Sequence, residues 1–344
     1  MTVAVIAFTR RGAELGRKLA AALGGALYAP ARFAADAGAE PVPALDAWTA
    51  ARWEDSDALV FVGAAGIAVR AVAPHVRDKF TDPAVVSVDE EGRFAVPLLS
   101  GHVGGANELA LRVAELTGGQ AAVSTATDVN GLFAVDVWAK GNGLVITDRA
   151  LAKEVSAALL EGKAVGFASD FGHPCPAGLT QGPAEIGVWV TARTGAGPFS
   201  RTLRLAPKGL ILGVGCRRGT ERAAIEDAAA EALAGYEPLA VAAVATIDLK
   251  KDEPGLLAFC AARGLPLLTF SAGELSAVAG DFTPSDFVKG VTGVDNVCER
   301  AAAAAGGRIV VPKLAKNGVT ASVAEKRHVC GYLLSAWAPA AGRT

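Results

Sequence analysis

Residues 57–76 read DALVFVGAAGIAVRAVAPHV. An uncharged apolar run from Ala58 to Val62 meets Gly63 and Gly66, and apolar residues then return at helical spacing around Arg70. A short unbroken apolar run closed by a glycine turn marks a strand buried on both faces. A strand that feeds a helix at once is half of a β-α-β unit. The theme stands upstream as well: TVAVIAFT (2–9) is strand-like and is followed by a helical pattern from Arg11 to Leu23. Downstream, VVSVDEEGRFAVPLL (85–99) reads as a hairpin around Glu91-Gly92. The glycine-rich SGHVGGAN (100–107) comes next, then a helix to about Leu116 and a strand AAVST (121–125).

From Gly141 the pattern changes. Residues 143–169 read as strand, helix and strand, 170–187 are rich in Gly and Pro, and TARTGAGPFSRT (191–202) reads as a surface loop or hairpin tip. A third block opens with LILGVGCRRGT (210–220), a strand running into a turn, with Thr220, Glu221 and Glu226 opening the helix of 221–234. Strand 240–247, helix 253–264 and strand 265–271 follow. These alternations predict a multi-domain α/β chain with mainly parallel sheets flanked by helices. We expect a Rossmann-like N-terminal domain over 1–138, a small middle α/β module over 139–206 and an α/β C-terminal domain over 207–338. Ligands of such sheets sit at the carboxyl ends of strands, where the glycine turns are expected.

Composition narrows the partners. A net charge of −2 gives no global attraction to nucleic acid or to a membrane surface. The longest apolar stretch, 58–69, falls short of the roughly 18 residues a membrane helix needs. The N-terminus places its apolar run before Arg10 and Arg11, the reverse of a signal peptide. The five cysteines are scattered and form no CxxC pair, which suits reduced thiols and a cytoplasmic location. No histidine stands at metal-ligand spacing from another, so no protein-bound metal is expected.

Of the four histidines, His102 is set among Gly101, Gly104 and Gly105. Such a loop lets a large planar ligand reach the main chain, and Ser100 or Asn107 can cap or orient it. The residues alone leave two readings of His102, a turn residue or a proton acceptor near neutral pH. Gly63 and Gly66 are expected to form a second turn beside it, with Asp128 and Asn130 at the same sheet edge and Asp136 beyond as a further Asx-turn candidate. His75 reads as a helix-end residue, His173 as a loop residue and His328 as part of a solvated helix face. In 210–220, Gly213, Gly215 and Gly219 approximate a dinucleotide turn, but the third glycine falls one place late and no matching acid follows. Arg217 and Arg218 add carboxylate- or phosphate-binding capacity. Asp295, Glu299 and Lys313 flank apolar runs, Glu299 as a helix-face residue and Lys313 as a strand end.

Taken in order, VGAAGIAVR, PLLSGHVGGANELA, STATDVNG, LGVGCRRGT, GVDNVCERAAA and VVPKLAKNGVTASVAE resemble the CbiG family, the cobalt-precorrin-5A hydrolases of anaerobic cobalamin biosynthesis. The resemblance covers nearly the whole chain. It implies an enzyme that opens the δ-lactone of a ring-contracting cobalt corrinoid and releases the extruded carbon within acetaldehyde. The implied partner is that corrinoid, with neighbouring enzymes of the pathway, and the cobalt arrives inside the substrate, so no separate cofactor is expected. On this reading His102 is the base. The amides of Gly104 and Gly105 with Asn107 hold the oxyanion, and Asp128 shuttles a proton. Gly63, Gly66, Ser100, Gly101, Gly213 and Gly215 line the macrocycle, and Arg70, Arg217 and Arg218 pair with its carboxylates. The rival readings are a non-enzymatic corrinoid carrier and a nucleotide-binding protein that uses GVGCRRGT.

Overall fold

The computed structural model describes residues 1–78, 81–102, 104–124 and 131–326. The chain divides into two compact units, Met1–Val137 and Trp138–Thr344. The first is built on a seven-stranded sheet of β1 (Val3–Ala7), β2 (Ala26–Pro30), β3 (Glu40–Val42), β4 (Ala58–Val62), β5 (Ala84–Val88), β6 (Phe94–Leu99) and β7 (Gln120–Ala121). Its spatial order is β3-β2-β1-β4-β5-β6-β7. Strands β1, β4 and β5 are buried at every position, as the apolar runs predict for a central parallel array. The helix Arg10–Leu23 begins where Thr9 Oγ1 accepts from the Gly12 N–H at 2.9 Å, and it ends at the left-handed Gly24.

The hairpin around Glu91-Gly92 is present, and it decides the polarity of the site. β6 runs antiparallel to β5, with Val85 opposite Leu99 and Val88 opposite Ala95. The carboxyl end of β6 therefore lies at the edge where β4 and β5 begin. Gly63, whose N–H donates to the Val88 carbonyl, lies at the edge where they end. From Val85 to Val88 is about 10 Å of strand. The expectation that the turns at 63–66 and 100–105 stand side by side is corrected by this reversal.

The second unit carries two further sheets. One has β8 (Leu144–Ile146), β9 (Val165–Ser169), β10 (Ile186–Val190) and β11 (Arg201–Pro207) in the order β8-β11-β10-β9. β10 and β11 are parallel, Ile186 opposite Arg201, so residues 191–200 form a helix-free crossover and not a hairpin tip. The other has β12 (Leu210–Cys216), β13 (Val241–Ile247), β14 (Leu267–Phe270), β15 (Arg308–Lys316) and β16 (Val319–Glu325) in the order β14-β13-β12-β16-β15. Ala192 and Ala206 pack in one apolar cluster with Leu210, Leu212 and Ile225, so the two sheets share a core. Among the described residues no helix is long and apolar enough to cross a membrane.

Candidate functional site

At the end of β6 the chain enters the turn that leads to the helix Ala106–Thr117. The loop closes on itself. The Gly105 N–H donates to the His102 carbonyl at 3.0 Å, Ala106 N–H to Ser100 O at 3.1 Å and Asn107 N–H to Gly101 O at 2.9 Å. Ser100 sits in the left-handed region at φ 55°, where a non-glycine residue is strained by about 1–2 kcal/mol. Its side chain is enclosed, with the residue 9% exposed, and among the described residues Oγ has no hydrogen-bond partner. Leaving a buried hydroxyl unpaired costs about 1–3 kcal/mol.

His102 faces Asp136, with Nδ1 3.7 Å from Oδ2 and the two side chains 16% and 14% exposed. Asp136 belongs to the first turn of the helix Val135–Gly141, and its Oδ1 accepts from the Val137 N–H at 3.0 Å. A carboxylate in a first helical turn is favourably placed against the backbone dipoles, and one of its oxygens remains directed at the imidazole. A carboxylate this close to an imidazole can orient it for general-base work when the distance shortens to a hydrogen bond.

The second glycine turn is built differently. Gly213 and Gly215 are not in it. They lie inside β12, where an ideal Cβ on Gly213 would stand 1.9 Å from the Cys298 carbonyl oxygen. Gly213 is therefore a packing position, pressed under the helix Cys298–Ala304. The turn glycine is Gly219, at φ 74°, and its N–H donates to Glu253 Oε1 at 2.5 Å. Lys250 Nζ holds the other carboxylate oxygen at 3.0 Å. Burial pushes the Glu253 carboxyl up, but hydrogen bonds from Lys250 and Gly219 and the charges of Lys250 and Arg218 outweigh it and leave it below the usual range. Arg217 extends over Gly318 at the β15–β16 turn, and its N–H donates to the Gly318 carbonyl. The amide that a nucleotide phosphate would need holds a carboxylate of the chain itself.

Three models of cobalamin synthesis proteins match: "Cobalamin synthesis G N-terminal" over residues 47–128, "Cobalamin biosynthesis central region" over 133–207 and "Cobalamin synthesis G C-terminus" over 210–324. The cobalt-precorrin-5A hydrolase of Salmonella typhimurium is 35% identical over 281 residues, covering 76% of this chain and 80% of that protein. The chain belongs to the CbiG family. The cobalt-precorrin-5A hydrolase of Priestia megaterium is 32% identical over 297 residues, 79% of each chain. A probable cobalt-precorrin-5A hydrolase of Methanocaldococcus jannaschii is 28% identical over 297 residues, 77% of this chain and 84% of that one.

In this CbiG chain the structure gathers Ser100, Gly101, His102, Gly104, Gly105 and Asn107 into one turn and adds Asp136. It does not bring Gly63, Gly66 or Arg70 to that turn, because they lie at the opposite sheet edge; Arg70 donates to the Gly66 carbonyl of its own helix at 3.2 Å. The Gly105 amide, expected to face the oxyanion, donates to the His102 carbonyl in this structure. Asn107 is buried, with its side chain against Gly101. Asp128, Asn130 and His328 lie outside the described residues. Glu299 stands in the first turn of the helix Cys298–Ala304, on its buried face. It is 2% exposed and accepts from the Thr283 and Lys313 N–H groups, both at 2.7 Å, and from Asn296 Nδ2. Lys313 lies within β15 and not at its end, and its Nζ donates to the Thr283 carbonyl at 2.9 Å.

The four described cysteines are free thiols. Burial pushes Cys175 and Cys216 up, and pushes Cys260 and Cys298 to about 11. A protonated thiol is a poor nucleophile and a poor metal ligand. Among the described residues no three His, Cys, Asp or Glu side chains cluster as a metal site.

Proposed function

We infer that this chain is a cobalt-precorrin-5A hydrolase, acting on a cobalt-corrinoid intermediate of cobalamin biosynthesis. The observation that carries the catalytic reading is the enclosed His102–Asp136 pair at a glycine-lined turn, in a chain 35% identical to a curated hydrolase of that name. The glycine backbone lets a flat macrocycle approach the imidazole. His102 Nε2 takes a proton from water as the water oxygen bonds to the lactone carbonyl carbon. The ester C–O bond then breaks, and the proton returns to the departing alkoxide, with Asp128 proposed as a relay. Asp136, with Oδ2 3.7 Å from Nδ1, orients the ring. The new hydroxyl then gives its proton back to His102 as its C–O bond becomes C=O, the adjoining carbon–carbon bond breaks with its electron pair left on the corrinoid, and acetaldehyde departs. The cobalt in our reading is part of the substrate. We place the reaction in the cytoplasm, where free thiols persist, with the product passing to neighbouring enzymes of the pathway.

The test is anaerobic incubation with the lactone-bearing cobalt precorrin, followed by trapping of acetaldehyde. One equivalent per corrinoid consumed is the expected result. Tight binding without acetaldehyde would replace the hydrolase with a carrier.

A further inference from the structure

Ser100 is the last residue before the glycine turn, and two unfavourable features coincide in it. Its backbone is left-handed at φ 55°. Its hydroxyl is enclosed and has no partner among the described residues. A glycine would meet that φ without strain, and an alanine would fill the space without a stranded hydroxyl. Turn geometry and packing therefore both argue against a serine. Strain and an unpaired donor found together mark positions that are retained for chemistry.

The surroundings are specific. The Ser100 carbonyl accepts from Ala106 N–H, so the first turn of the helix fixes the backbone on the far side of the glycines. The cover over the side chain is the backbone of Gly104. An ideal Cβ there would stand 2.3 Å from Ser100 Cβ, so only glycine can lie so close. His102 follows two residues on and presents its imidazole to Asp136. The Gly105 amide, the obvious oxyanion donor of this turn, is already engaged by the His102 carbonyl.

We propose that Ser100 Oγ is the hydrogen-bond donor to the lactone carbonyl oxygen as it becomes an oxyanion. The proposal rests on the hydrolase reading and adds a side-chain donor to the Gly104 amide and Asn107 of that reading. The hydroxyl makes and breaks no covalent bond. It keeps its proton while the proton of water passes to His102. A donor held in a water-poor site with no competing acceptor needs no reorganisation at the moment of reaction, which is where such groups act most strongly.

The experiment compares wild type with Ser100→Gly and Ser100→Ala, following lactone consumption and acetaldehyde release anaerobically. Glycine accepts the left-handed backbone, so Ser100→Gly folds, with a Tm at or above that of wild type. Its kcat is expected to fall about 10²–10³-fold with little change in KM, and its pH–rate profile keeps the wild-type rising limb because the base is unchanged. A kcat within about twofold of wild type would assign the hydroxyl to structure and overturn the proposal. A corrinoid ester trapped on the Ser100 peptide, detected by mass spectrometry after quenching the His102→Ala variant, would make Ser100 a nucleophile and overturn it as well. If wild-type protein itself releases no acetaldehyde, the hydrolase reading falls first, a result separate from any difference among the variants.

Discussion

The two glycine-rich stretches, 100–107 and 213–219, look alike as sequence and differ in what their polar groups already do. At 213–219 the chain completes its own site: Glu253 takes the Gly219 amide, Lys250 takes Glu253, and Gly213 makes room for the Cys298 carbonyl. At 100–107 the chain leaves a strained serine, a hydroxyl with no partner among the described residues, and an imidazole turned by a carboxylate. Glycine density alone does not announce a ligand. The informative question is which donors and acceptors are already satisfied by the protein, since buried polar groups are nearly always paired.

The contrast can be broken by substitution. The largest expected effect is on catalysis. His102→Ala should lower kcat about 10²–10⁴-fold, with Asp136→Asn lower in the same direction, both read as acetaldehyde release; a wild-type rate in both would erase the functional half of the comparison. Next comes packing. Gly213→Ala forces a methyl group against the Cys298 carbonyl and should cost about 1–3 kcal/mol by overpacking. Gly105→Ala meets no neighbour and only the strain of its φ of 89°, about 1 kcal/mol. Thermal melts of the pair should rank them in that order.

Glu253→Ala strands the Gly219 N–H and Lys250, and should cost about 1–3 kcal/mol near neutral pH. The sign with pH follows from the lowered carboxyl. Its stabilisation is present above the unfolded-state value and is lost as pH falls through the folded one, so the gap between wild-type and variant Tm should close on acidification. A gap that widened in acid would contradict the assignment. The smallest effect is a null one: NADP should leave the wild-type Tm unchanged, because the turn already holds a carboxylate.

Much of the frame was legible in the sequence. β1, β4 and β5 announce themselves as apolar runs, and the hairpin at Gly92 as a turn signal between two strands. The stretch 26–55 is rich in Pro and Ala, yet it holds β2, β3 and the helices Ala31–Ala37 and Leu45–Asp55. Alanine carries little periodic contrast, so the elements leave no pattern to read. The polarity reversal at β6 was implicit in the hairpin, but its effect on Gly63 and Arg70 needs the sheet order. His102 stood out because its neighbours lack side chains, whereas Asp136 read only as a turn residue, because its partner comes from another element of the fold. Glu253 and Glu299 look like solvated helix residues in sequence, and their burial is decided by tertiary packing alone.

The raised thiols bear on self-protection. Acetaldehyde is an electrophile, and thiolates add to it readily. With Cys260 and Cys298 held near 11 and Cys175 and Cys216 also raised, these four sulfurs stay protonated at neutral pH. On the proposed reaction, in which acetaldehyde is set free at every turnover, these four sulfurs offer the product few reactive sites, and repeated turnover should leave them unmodified.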